Sequence, residues 1–379
     1  MNPLIVAQPA SEIRSINARK RASSIDLGLG EPLLAPEIAD FERATNWVRE
    51  NACRYSSNAG DADLRAAIAR TYAYPSLDSP ENVCIATGSQ ETVYATFKAL
   101  LDPASDEVLL VEPTYPIYAR IAAIEGISIR RVAMSADEDF ALDPERILAA
   151  LSPATRMIVI CSPCNPTGRA MTRDAARSLA EALRVRPGPP VYVFHDEVYR
   201  EIRFTDDIGA LGEYYPQTIS INSLSKSNTL TGLRLGWAIG PLDAMRQIVK
   251  VHAWVTSCAS TFAQRVALEI FARKGLADTR SWYDSQRKIA LAAARDVGLR
   301  TVIPEGAFYL WIETGATNAR DFVSKLIEEA DVVAMPGTIF GEDPTLQRWL
   351  RTSFVAPQEN LREGMKRIAE VAASFNVRR

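Results

Sequence analysis

Histidine is scarce: two among 379 residues. With no second ligand near His195, that scarcity argues against a metal centre, and His195 reads as a packed or hydrogen-bonded side chain. The five cysteines are an odd number for a chain of this size, which fits reduced thiols in a cytoplasm better than a disulfide framework. Long apolar runs are missing; stretches such as Val108-Leu109-Leu110-Val111 fall far below the roughly 18 residues of a membrane span. At the start, Met1-Asn2-Pro3 carries no basic leader, and Leu4-Ile5-Val6-Ala7 is too short for a signal peptide. A cytoplasmic protein with no membrane partner is expected. Neither sign of charge dominates: 43 basic and 46 acidic side chains leave a net charge of -3, so nothing global draws the chain to nucleic acid. Gly28-Leu29-Gly30 lacks a third glycine and runs into Pro32, and no P-loop, H-E-x-x-H or G-x-S-x-G occurs.

What remains is an ordinary globular composition, 47% hydrophobic and 23% charged, in a chain long enough for one large and one small domain. Short apolar segments recur at 82–87, 108–112, 129–134, 156–161, 191–196, 218–223 and 235–240. Several are near-continuous Val/Ile runs, as expected of strands covered on both faces. Helical patterns lie between them, at 91–101 and 173–184 among others. This alternation predicts an α/β domain with a mostly parallel sheet. After about residue 265 the rhythm changes to a long helical stretch through 262–297. Short strands near 308–312 and 349–354 follow, then an amphipathic helix with Leu361, Met365, Ile368 and Ala372 on one face. That tail reads as a smaller α+β domain.

Five segments carry candidate chemistry, each with a plainer alternative. In Ser223-Leu224-Ser225-Lys226, a lysine at the end of a buried strand can form a Schiff base with an aldehyde cofactor, or it is an ordinary loop lysine. Ser223, Ser225 and the downstream Arg234 suit a phosphate. Asp196, in His195-Asp196-Glu197-Val198-Tyr199, sits where ligands bind in open α/β sheets; it would hold a protonated pyridine nitrogen, or cap the next segment. Thr87-Gly88-Ser89-Gln90, between a strand and a helix, is an anion cradle or a plain turn. Cys161-Ser162-Pro163-Cys164-Asn165 holds the Asn165 amide between two prolines, and its C-x-x-C is a redox pair or a coincidence. Arg351, in Arg351-Thr352-Ser353-Phe354, is a bidentate carboxylate clamp or a surface ion pair.

Taken in order, these motifs resemble the class I/II aminotransferases, the fold-type I enzymes that use pyridoxal 5'-phosphate (PLP), and especially the bacterial branch of the aspartate aminotransferase superfamily. The likeness runs from Gly30-Glu31-Pro32 to Arg351-Thr352-Ser353-Phe354. It implies a seven-stranded, mostly parallel sheet in a large PLP-binding domain, residues 40–270, and a small domain from 1–39 and 271–379. It implies an enzyme that moves an amino group from an L-amino acid to a 2-oxo acid, with a PLP-dependent lyase, replacement or cyclisation enzyme of the same fold as the alternative. The roles it implies are Lys226 as Schiff-base lysine and proton carrier, Asp196 on the ring nitrogen, and Tyr199 and Asn165 on the phenolic oxygen. Tyr115 would stack on the ring, and Gly88, Ser89, Gln90, Ser223, Ser225 and Arg234 would hold the phosphate. Arg351, Gly30 and Asn165 would bind the substrate carboxylate. Tyr55 matches a tyrosine that reaches the phosphate of a neighbouring subunit, which implies a homodimer with shared sites. One position departs: in the aspartate-specific branch a lysine often follows the glycine of the phosphate turn, and here Ser89 stands there, which weakens an aspartate assignment. Glu12 and Arg14 are candidates for the side-chain pocket or for surface charge.

Overall fold

In the computed structural model, which describes residues 1–32, 34–72, 74–273 and 279–376, the expected α/β layer is present. Seven strands form one sheet: β1 (Val83–Ala86), β2 (Glu107–Glu112), β3 (Ser128–Ala133), β4 (Thr155–Cys161), β5 (Tyr192–Asp196), β6 (Thr218–Ser223) and β7 (Gly236–Ile239). Their order is β1-β7-β6-β5-β4-β2-β3. Only β7 runs against the rest, pairing antiparallel with β1 and β6. The carboxyl ends of the other six therefore share one edge.

The central strands are buried on both faces, which is why several of them read as near-continuous apolar runs. Side chains alternate between faces. Val108 and Leu110 pack with Val93, Phe97 and Ile248 from the helices Ser89–Leu100 and Leu242–Thr256. Leu109 and Val111 turn the other way, into a cluster with Leu179 and Leu183 of the helix Arg173–Val185.

A second, antiparallel sheet has the order β10-β11-β9-β8, built from β8 (Arg300–Val302), β9 (Tyr309–Glu313), β10 (Met335–Pro336) and β11 (Trp349–Ser353). The C-terminal helix Gln358–Asn376 buries Leu361, Met365, Ile368 and Ala372, the face read from its spacing. The expected helical stretch through 262–297 needs correction. It is two helices, Thr261–Ala272 and Arg280–Asp296, and residues 274–278 of it lie outside the described residues. Glu269 closes the first of them: its carbonyl, with that of Ile270, takes the Arg273 N–H, and apolar periodicity does not register such an end.

Candidate active site

Asp196 is the last residue of β5, in register with Cys161 on β4 and Ile221 on β6, so its carboxylate opens at the middle of the sheet edge. It is buried. The Tyr118 hydroxyl donates to Oδ2 at 2.5 Å, and Oδ1 accepts the Val198 N–H at 3.1 Å. The Val198 bond closes a turn: no helix follows Asp196, so the plainer reading as a helix cap is not realised. Burial raises the Asp196 pKa to about 6, against the stabilising hydrogen bonds from Tyr118 and Val198.

Lys226 lies just past the end of β6, half-buried, with Nζ 6.0 Å from the Tyr199 ring centre and 5.6 Å from that of Phe308. Desolvation, helped by the positive charge of Arg351 and opposed by Asp196, lowers its pKa to about 8. An amine drawn this close to neutrality serves as nucleophile and as proton carrier.

The second sheet supplies Arg351, from the middle of β11 between β9 and β10. Its side chain is 1% exposed, so the surface-pair alternative fails. Nη1 donates to Asn165 Oδ1 at 2.9 Å, Nη2 donates to the Gly28 carbonyl, and the guanidinium lies 4.4 Å from the Tyr309 ring centre. Nε has no hydrogen-bond partner, and no carboxylate pairs with this cation among the described residues. A buried charge held only by neutral groups is costly, and an incoming anion would offset that.

A third set gathers where β1 meets the helix Ser89–Leu100. No side chain caps this helix, so its first amides are open donors at the positive end of the helix dipole. Gly88, at φ +86°, makes the turn; a Cβ there would come within 2.5 Å of Arg234 Nη2, so only glycine lets the guanidinium close over the turn. Glu91 secures the turn from below, accepting the Thr87 N–H at 2.6 Å and meeting His252 Nδ1 at 2.6 Å.

These sets face one cavity of about 520 Å³. Of the residues singled out in the sequence, Lys226, Asp196, Tyr199, Tyr115, Asn165 and Arg351 line it, as do Gly30, Ser89, Gln90, Ser225 and Arg234. Three do not. Gly88 stands behind Arg234. Ser223 is fully buried at the end of β6, where its Oγ accepts the Ser225 N–H at 3.3 Å; it supports the turn and does not line the cavity. Tyr55 is 89% exposed and outside this chain's cavity. Arg14 lines the cavity, whereas Glu12 pairs with Arg320 at 2.7 Å. Tyr199 meets Tyr309, hydroxyl to hydroxyl, at 2.9 Å. His195 is packed: neither ring nitrogen has a hydrogen-bond partner among the described residues, and Nδ1 lies 3.8 Å from Glu197 Oε2.

Sequence reasoning missed Tyr118 and Tyr309. Tyr118 stands one helical turn after Tyr115, and Tyr309 lies in the FYLWI strand; hydroxyls inside apolar runs were the available signal.

The sequence model of aminotransferase class I and II matches residues 23–368. The chain belongs to this family. It is 31% identical to aspartate aminotransferase of Pyrococcus horikoshii, over 94% of this chain and 93% of that one. It is 32% identical to a probable N-acetyl-LL-diaminopimelate aminotransferase of Bacillus subtilis, covering 91% and 88%. The solved structure of Thermus thermophilus aspartate aminotransferase with maleate superimposes with a TM-score of 0.89 at 27% identity, covering 98% of this chain and 99% of that one. The aminotransferase assignment therefore stands: the chain is a PLP-dependent enzyme that transfers amino groups, of fold type I, and the lyase alternative is not favoured.

Proposed function

We propose that this cavity holds PLP and moves an amino group between an L-amino acid and a 2-oxo acid. The observation that carries the reading is Arg351: a buried, anion-free guanidinium facing the same cavity as a low-pKa lysine and a high-pKa aspartate.

The donor set fits the cofactor. Arg234, the Ser89 and Ser225 hydroxyls and the first amides of the helix Ser89–Leu100 would take its phosphate. Asp196, anionic above about pH 6, would hold the proton on its ring nitrogen. Tyr115 would stack on the ring, and Tyr199 and Asn165 would reach its phenolic oxygen. When bound, PLP supplies an aldehyde for an amine to condense with and a ring that takes up negative charge from the substrate Cα.

The chain's own groups do the rest. Arg351 orients the substrate carboxylate, with Asn165 and the backbone at Gly30 beside it. Lys226 Nζ takes the Cα proton and returns it on the other side of the transfer. Tyr118 keeps Asp196 in place through its hydroxyl. Half-buried Tyr115 and buried Tyr309 and Phe308 exclude water around Lys226.

Two further parts of the reading concern assembly. Exposed Tyr55 would complete a neighbouring copy's phosphate site, giving a homodimer with shared sites. The five free cysteines support a reducing compartment such as the cytoplasm. Residues 40–270 would form the large domain, with 1–39 and 271–379 as the small one.

A visible absorbance scan of the purified protein with PLP, before and after each of a panel of L-amino acids without any oxo acid, tests the reading. Conversion of the lysine-bound band to the pyridoxamine form by one amino acid is the expected result and names a donor. An unchanged band with accumulating ammonia would overturn transamination, and no band at all would overturn cofactor binding.

A further inference from the structure

Two thiols under the site have no part in the proposed chemistry. Cys161 closes β4 and lines the main cavity; Cys164 follows three residues on, at the base of the loop that carries Asn165. Both are buried, at 5% and 8% exposure, and both border one small void of about 10 Å³, room for about one water-sized molecule. Cys161 Sγ lies 3.6 Å from the Pro163 carbonyl and Cys164 Sγ 3.4 Å from that of Pro113. Each thiol thus gives its proton to a backbone carbonyl, and the two side chains flank the same void.

We infer that Cys161 and Cys164 are an oxidation site, closing to a disulfide under hydrogen peroxide and thereby switching off the Asn165–Arg351 carboxylate clamp. Cys161 is the entry point, because of the two only it borders the main cavity. Its sulfur attacks one peroxide oxygen; the O–O bond breaks, the thiol proton leaves with the other oxygen, and a sulfenic acid and one water result. Cys164 sulfur then displaces the hydroxyl, so the S–S bond forms as the S–O bond breaks, and the Cys164 proton completes a second water. In all, two thiols lose two hydrogens and one peroxide is reduced to two waters.

The consequence reaches the substrate through one residue. The Cys164 N–H donates to the Arg169 carbonyl at 2.8 Å and its carbonyl accepts the Gly168 N–H at 2.9 Å, so the loop is clipped at the same residue that the disulfide would pull. Asn165, next in the chain, gives its Oδ1 to Arg351 at 2.9 Å. Bonding the sulfurs draws Cys164 toward β4 and moves Asn165 off the guanidinium; a misplacement of about 1 Å at such a group can lower activity on the order of 100-fold.

The inference does not depend on which amino acid is the substrate, and its first readout does not depend on the cofactor. The test uses the PLP-loaded enzyme with exposed Cys53 and partly exposed Cys258 changed to serine, treated with hydrogen peroxide. The peptide containing Cys161 and Cys164 should lose the mass of two hydrogens, with activity falling about tenfold or more and returning on addition of dithiothreitol. Cys164→Ser should never show that mass loss and should not regain lost activity with the reductant. A peptide that stays fully reduced while peroxide is consumed, or a disulfide formed without loss of activity, overturns the proposal. So does Cys164→Ser being inactivated and rescued like its parent.

Discussion

The floor and the mouth of the cavity are built on opposite terms. On the floor around Lys226, the two strongest buried charges are already held: Asp196 by Tyr118 and Val198, Arg351 by Asn165, Gly28 and Tyr309. At the mouth, Arg234 is exposed and, among the described residues, bonds just the Thr231 carbonyl at 3.0 Å, and no side chain caps the start of the helix Ser89–Leu100. Pre-held buried groups are expensive in the empty protein but need no rearrangement during reaction, which is where electrostatic catalysis gains most. Open groups at a rim cost little and contribute mainly affinity. Floor substitutions should therefore act on turnover and on the stability of the cofactor-free protein, and mouth substitutions on cofactor binding.

The largest effect is expected at Lys226. Lys226→Ala should lower turnover by about 1,000-fold or more while circular dichroism and size remain unchanged. Near-normal turnover would remove the floor's central group from the mechanism. Arg351→Gln comes next: kcat/KM for the amino acid should fall roughly 100-fold, consistent with the loss of a charge-assisted hydrogen-bonded contact of about 3 kcal/mol. An unchanged kcat/KM would mean that the carboxylate binds elsewhere. Tyr118→Phe should have a smaller effect. It removes one hydrogen bond to a charged group, about 1.5–3 kcal/mol, so the Asp196 pKa should rise further and the low-pH limb of kcat should move to higher pH. Smallest is Arg234→Gln, for which PLP binding should weaken by about 1–2 kcal/mol, with kcat at saturating PLP within a few-fold of the parent. A collapse of kcat there would break the division between floor and mouth.

The same division governs what could be read from the sequence. Strand ends in a doubly covered sheet announce themselves: β4 and β5 are largely apolar up to Cys161 and His195-Asp196, and β6 alternates isoleucine with small polar residues up to Ser223. The floor's lysine, aspartate and asparagine follow those stops, so their positions were legible along with the motif order. Ser223 does not line the cavity: the end of a strand can be read from the sequence, but how deep a terminal hydroxyl lies cannot. Tyr118 and Tyr309 were hidden among core aromatics, because their roles come from contacts with residues 78 and 110 positions away. The helices Ile38–Asn51 and Ala62–Tyr72 did not stand out, since the first has few apolar residues and buries only Asp40 and Ala44. The break after Ala272 went unread for a similar reason: periodicity continues on both sides of it.

The central claim is that the floor's charges are held at a cost before any ligand arrives, and Asp196 tests it most directly. Its pKa stands at about 6 in the folded protein against an ordinary 3.8, so the native state binds the proton more tightly than the unfolded chain does. Stability linked to this group therefore falls as pH rises from 4 to 6 and is then level. Asparagine mimics the protonated side chain. In cofactor-free protein, urea unfolding of Asp196→Asn and the parent should differ by about 3 kcal/mol in favour of the variant at pH 7, a gap that closes as pH falls to 4. A variant less stable than the parent at pH 7, or a gap that does not change with pH, would contradict the account.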